Sequence, residues 1–256
     1  MAETDERLSL TYRLLRRVVF SVGHVRWTGR PPLFVGCDRE PLVSYEECLS
    51  ALPLIQPGDI VLHRLGGFLA NVCIGGAMIH AGLAVGNDQV VEAVSHGVVK
   101  RHLLYILSSD YACVIRPNLD DDAKREAVEW ANDIVGFHYD WLFQFNGDRE
   151  RQMVAKYYDE AKRKGVRFCC TEVPYFCYLG HNFGLKRRRN KGLSYRLASM
   201  LGFRPGKMLV DADFYVTSGA SVVWMSESFT ERWAEAMGCS DSYLHKVHEY
   251  WDQRRS

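Results

Sequence analysis

The stretch Met78-Ile79-His80-Ala81-Gly82-Leu83-Ala84-Val85-Gly86-Asn87-Asp88-Gln89-Val90-Val91-Glu92-Ala93-Val94 consists of two apolar, β-forming runs separated by three turn residues. Such a pattern predicts an antiparallel hairpin. Each run carries a single ionisable side chain, His80 in the first and Glu92 in the second. A carboxylate on an apolar strand is costly unless it finds a partner. With Gly86 to Asp88 taken as a three-residue loop, Gly82 falls opposite Glu92, and His80 becomes its diagonal neighbour on the same face. A slip of one residue would send the two side chains to opposite faces.

Outward from this hairpin, residues 59–64, 111–116 and 220–225 read as further strands, bounded by Gly, Asn and Asp. Helices are expected from about 123 to Gly136, after the acidic run Asp120 to Asp122, and at 150–164, 170–180, 229–237 and 242–253. Strands and helices are partly segregated along the chain, which favours an α+β fold. Residues 7–20 have the spacing of an amphipathic helix covering a core edge, and Thr28 to Pro41 is broken by Gly and Pro into a connector. The expected organisation is therefore an N-terminal extension (1–52), a core (53–226) and C-terminal helices (227–256).

The second informative stretch is Phe168-Cys169-Cys170-Thr171-Glu172-Val173-Pro174. Proline is tolerated near a helix start, so a helix running to about Leu179 begins close to Cys170. There the unpaired N–H groups and the helix dipole stabilise a thiolate and an oxyanion formed beside it. A free cysteine is more often a small buried hydrophobe, so this signal needs a base. His80 is the candidate base and Glu92 the acid that would orient it, with His96 the alternative third member.

The ordered motifs Gly58-Asp59-Ile60-Val61, Ile79-His80-Ala81-Gly82, Val91-Glu92-Ala93 with Gly97-Val98, Tyr139-Asp140 and Cys170-Thr171-Glu172-Val173 resemble the circularly permuted NlpC-type papain-like proteins, the YiiX- and YaeF-like bacterial members and their orthopoxvirus relatives. The likeness spans about residues 54–226 and includes Val210-Asp211-Ala212-Asp213-Phe214. It implies a permuted papain-like fold, with an antiparallel sheet or small barrel packed against the helix that carries the nucleophile. It implies a thiol peptidase or amidase with Cys170 as nucleophile, His80 as base, Glu92 as orienting acid and Tyr139 lining the site beside the oxyanion. Cys169 stands where the family has an aromatic residue, which leaves the attacking sulfur to be chosen between neighbours. The expected substrate is a small peptide, an amino-acid amide or an acyl compound, and no cofactor or metal is called for. Two other readings are a lipid-directed acyl hydrolase or acyltransferase and a catalytically idle peptide- or acyl-binding module.

Composition sets limits on partners and compartment. A net charge of +1 over 256 residues gives no global attraction to nucleic acid or membrane. The run Lys186, Arg187, Arg188, Arg189, Lys191 reads first as a solvated loop, with an anionic lipid or other anionic surface as the partner it would serve. Eight cysteines without framework spacing point to reduced thiols. Val18 to Val22 is shorter than the roughly 7 to 15 apolar residues of a secretory core. The expectation is a soluble, unprocessed, cytoplasmic protein. Cys170, Cys177 and His181 depart from structural zinc spacing and read as packing. Trp224, Trp233 and Trp251 are expected to anchor the C-terminal helices.

Overall fold

The structure, a computed structural model, describes residues 40–66, 78–140, 166–181 and 219–229, together with 152, 154–156, 245, 246, 248–250, 252 and 253. Numbered in chain order among these residues, the elements are α1 (Tyr45–Ala51), a 3-10 turn (Leu52–Leu54), β1 (Ile60–Arg64), β2 (His80–Gly86), β3 (Gln89–Val94), β4 (Gly97–His102), α2 (Leu104–Leu107), β5 (Tyr111–Pro117), α3 (Asp121–Asp133), β6 (His138–Tyr139), β7 (Arg167–Phe168), α4 (Glu172–Cys177) and β8 (Ala220–Met225). Six strands form one antiparallel sheet in the order β4-β3-β2-β1-β5-β8, and β6 pairs with β7 in parallel. The class is α+β.

Both faces of the sheet are buried. Alternate residues of the central strands, among them Ile60, Leu62, Ala81, Leu83, Val91, Cys113 and Ile115, pack on one face with α3, α4, Phe137 and Phe168. Their neighbours Val61, Ala84, Val90, Ala112 and Val114 pack on the other with α1, α2 and Trp224. This accounts for strands that are nearly continuous in apolar residues. The first helix, whose residues the sequence reading placed in the N-terminal extension, opens on a capping box. Ser44 Oγ accepts from the Glu47 N–H at 3.1 Å and Glu47 Oε2 accepts from the Ser44 N–H at 3.0 Å. Trp224 lies on β8 and packs in the second cluster.

The central hairpin has the expected register by a different route. Gly82 lies opposite Glu92, but the turn is the two residues Asn87 and Asp88, both with positive φ (52° and 53°), closed by the pair Gly86 and Gln89. Two left-handed residues match the twist of the flanking strands, and an Asn-Asp pair tolerates that conformation. Gly86 leaves the expected loop to pair with Gln89, and Val85 is left unpaired as a bulge between Ala84 and Gly86.

Other expectations shift at their boundaries. The helix predicted over 170–180 is shorter, Glu172–Cys177, so Cys170 and Thr171 lie in the turn before it. Gly180, at φ 94°, belongs to the turn after it. The helix at 121–133 ends just before Gly136, which has φ 88°. Described residues 154–156 and 245, 246, 248–250, 252 and 253 are helical. The predicted element at 7–20, residues 230–237 of the helix expected over 229–237, the segment Val210 to Phe214, Trp233 and Trp251 lie outside the described residues. Among the described residues no helix is long and apolar enough to cross a membrane.

Candidate active site

The hairpin register brings His80 and Glu92 together. His80 Nε2 donates to Glu92 Oε2, and Arg101 Nε, from β4, donates to the other carboxylate oxygen. The Arg101 guanidinium also lies over the Tyr105 ring, 5.1 Å from its centroid. Glu92 is fully buried, and burial by itself would raise its pKa. The hydrogen bonds and charges of His80 and Arg101 outweigh that and hold the carboxyl down at about 2. An ionised carboxylate fixes which imidazole nitrogen carries the proton and leaves Nδ1 as the second nitrogen of His80. His96 is exposed in the turn between β3 and β4, and the carboxylate bonded to His80 is that of Glu92.

Cys170 reaches the same strand from the opposite side of the chain. Pairing between β2 and β3 starts at Gly82 and Glu92, although β2 begins at His80 and β3 runs on to Val94. The ladder therefore leaves a seam at this end, where the sulfur contacts the main chain of β2. Its Sγ is 3.6 Å from the Ile79 carbonyl oxygen and is held by the Ala81 and Thr171 N–H groups. No hydrogen bond joins Cys170 to His80 among the described residues: the sulfur touches main chain on both sides of that histidine. By strand alternation the imidazole stands on the face of the second cluster, whereas α4 packs on the first.

The structure separates the two neighbouring thiols. Cys169 is fully buried, contacts Thr171 Oγ1 at 3.5 Å, and is pushed well above the ordinary thiol range, chiefly by burial. Cys170 is 8% exposed, and its thiol is shifted down. The Cys169 S–H is the leading cause, donating to the Cys170 sulfur, and the two backbone N–H groups add to it against the opposing effect of burial. Cys170 is thus the thiol that ionises first.

Tyr139 lies on β6 opposite Phe168 of β7, two residues before Cys170. Its phenol is raised well above its usual value by burial and then by Cys170, Cys169, Glu172 and Asp140, so it remains an O–H donor. The segment bearing it is docked on β4: Phe137 O accepts from the Val98 N–H at 2.8 Å, and a Cβ at Gly97 would come within 2.5 Å of that oxygen. Only glycine allows this approach, and at φ 132°. Glu172, also buried, accepts from the Cys169 N–H at 2.7 Å and is raised well above the carboxylate range by burial first and then by Cys169 and Asp140.

Sequence reasoning missed His63 and Arg101, and gave no role to Glu172 and Asp140 although both stand in the motifs quoted above. His63, on β1, stands directly opposite His80 with the ring centroids 4.7 Å apart in an edge-on arrangement. It is nearly buried, its Nδ1 has no hydrogen-bond partner, and burial, followed by the nearby His80, lowers its pKa to about 3. The ligand atoms of His63, His80 and Glu92 lie within 4.8 Å of one another, a donor set able to hold a metal ion. In the less favoured zinc grouping, Cys177 is buried in the first cluster and His181 faces Glu126 at 3.2 Å. The basic run Lys186, Arg187, Arg188, Arg189, Lys191 lies outside the described residues.

No protein-family model matches the chain, and no curated protein matches it. Among solved structures it is similar to the crystal structure of metalloprotein yiiX from Escherichia coli O157:H7, DUF1105. The two are 18% identical with a TM-score of 0.47 over 66% of this chain and 96% of that one.

Proposed function

We propose that this chain is a cysteine hydrolase of permuted papain-like type that cleaves an amide bond in a small peptide, an amino-acid amide or a related acyl compound. The observation that carries the reading is a down-shifted thiol held by the main chain of Ile79 and Ala81, on either side of a histidine already oriented by a buried carboxylate. Nδ1 of His80 takes the Cys170 proton across the seam, directly or through one water, and the sulfur attacks the carbonyl carbon. Tyr139 is assigned to the oxyanion as an O–H donor. His80 returns the proton to the leaving amine, a water deprotonated by His80 cleaves the thioester, and the acid departs as the thiol is restored. Glu92 stabilises the imidazolium formed in between. Five free cysteines among the described residues suit a reducing compartment, and we place the reaction in the cytoplasm.

The test is site-mapped labelling with iodoacetamide at neutral pH, run beside hydrolysis of model aminoacyl amides. Label should collect on Cys170, and Cys170→Ala should lose both label and turnover. Dominant labelling of another cysteine, unchanged in Cys170→Ala, would overturn the assignment.

A further inference from the structure

The thiol chemistry gives no task to His63, a buried imidazole whose Nδ1 is unpartnered beside two other polar groups. Leaving such an atom buried and unpaired is costly, so the arrangement asks for a ligand. His63 arrives from β1, His80 from β2 and Glu92 from β3, three adjacent strands of a rigid sheet presenting side chains to one face. Their ligand atoms lie within 4.8 Å of one another. Ligands bonded to one tetrahedral ion sit about 3–4 Å apart, which side-chain rotation reaches from here. Two imidazoles and one carboxylate suit zinc and its transition-metal neighbours rather than magnesium or calcium, and this ligand set leaves a coordination position open.

We propose that His63, His80 and Glu92 bind a divalent transition metal of the zinc type, and that, on the reading of Cys170 and His80 as nucleophile and base, the bound ion holds the enzyme off. Arg101 keeps Glu92 Oε1, leaving Oε2 as the ligand atom. Its positive charge favours hydroxide or another anion in the fourth position and sets the affinity below that of a closed structural site. The ring nitrogen of His80 that the ion takes gives up its proton to solvent or to the other ring nitrogen. His80 is then fixed to the ion and detached from Glu92, so it no longer serves as a base for the thiol.

The site is tested on the full Cys170→Ala chain, freed of metal with a chelator, so that binding is read without the proposed nucleophile. Zn²⁺ is titrated in competition with a chromophoric chelator at neutral pH, and Co²⁺ spectra report the ligand type. The expected result is one ion per chain, a cobalt spectrum without a thiolate charge-transfer band, and affinity lowered more than about ten-fold in His63→Asn and Glu92→Gln. Circular dichroism checks that the variants are folded, and His63→Cys, which restores a ligating atom, should recover binding if His63→Asn is not. Equal affinity in folded His63→Asn and Glu92→Gln, or binding abolished by Cys170→Ala, overturns the site. In the unsubstituted chain one equivalent of Zn²⁺ should suppress amide hydrolysis and a chelator should restore it; hydrolysis unchanged by a bound ion overturns the inhibitory part. The binding pattern is independent of turnover, so failure of the cysteine reading and failure of the metal site give different results.

Discussion

At the scale of single residues, the thiol pair makes a prediction about pH. A depressed pKa means that the thiolate of Cys170 is already present below the ordinary thiol range of about 8.5, and is lost only as pH falls through the lowered value. The alkylation rate of Cys170 plotted against pH should therefore have its midpoint below that of an ordinary thiol alkylated beside it. Cys169→Ala removes the leading donor and should move the midpoint up; an unmoved midpoint would mean that Cys169 does not hold the sulfur. Glu92→Gln keeps the shape of the orienting group and removes its charge, and should cost about 10²–10⁴-fold in kcat with a smaller effect on KM, measured on a model amide. The pairing of His80 with Glu92 was legible in the sequence because one hairpin contains both, twelve positions apart. His63 was not, because its relation to His80 is set by the pairing of β1 with β2, which no turn signal announces.

The hairpin is the element on which the site depends, and it separates register from loop length. Val85 occupies no position in the ladder. Deleting it should leave Gly82 opposite Glu92, close the turn as before, and preserve both thiol reactivity and hydrolysis at some cost in packing. One alanine inserted between Val91 and Glu92 should turn the carboxylate to the other face, and hydrolysis should fall to the level of Glu92→Gln while the far-ultraviolet circular dichroism stays native-like. Activity surviving the insertion would show that the pair is dispensable. The run Gly97-Val98-Val99-Lys100-Arg101-His102 forms β4, which sequence reading did not anticipate because its charged half has the composition of a loop; as an edge strand it tolerates those charges. The short α1 was also unread, although Ser44 and Glu47 carry its capping signature.

At the scale of the molecule, the central strand β1 is shared by two hydrophobic clusters, and the site spans the sheet between them. Leu62, fully buried on the first face, should cost about 2–5 kcal/mol when truncated to alanine, measured by chemical denaturation. Protection of the Ala81 amide against hydrogen exchange should fall with it, since that amide closes the seam on the sulfur. The α+β class followed from the strand and helix signals alone. The burial of both sheet faces did not, because a run of apolar residues in a strand does not say how many layers cover it.

Beside the Cys169 S–H, the contacts at the sulfur are made by peptide groups of residues 79, 81 and 171, and this changes what variation can reveal. Most side chains could replace Ile79 or Ala81 without withdrawing the carbonyl or the amide from Cys170, whereas proline at position 81 would remove the donor outright. Among relatives, these positions would drift within the limits of packing even where the chemistry is under strict selection. The main-chain part of the grip on the sulfur would then leave almost no trace in a comparison of sequences.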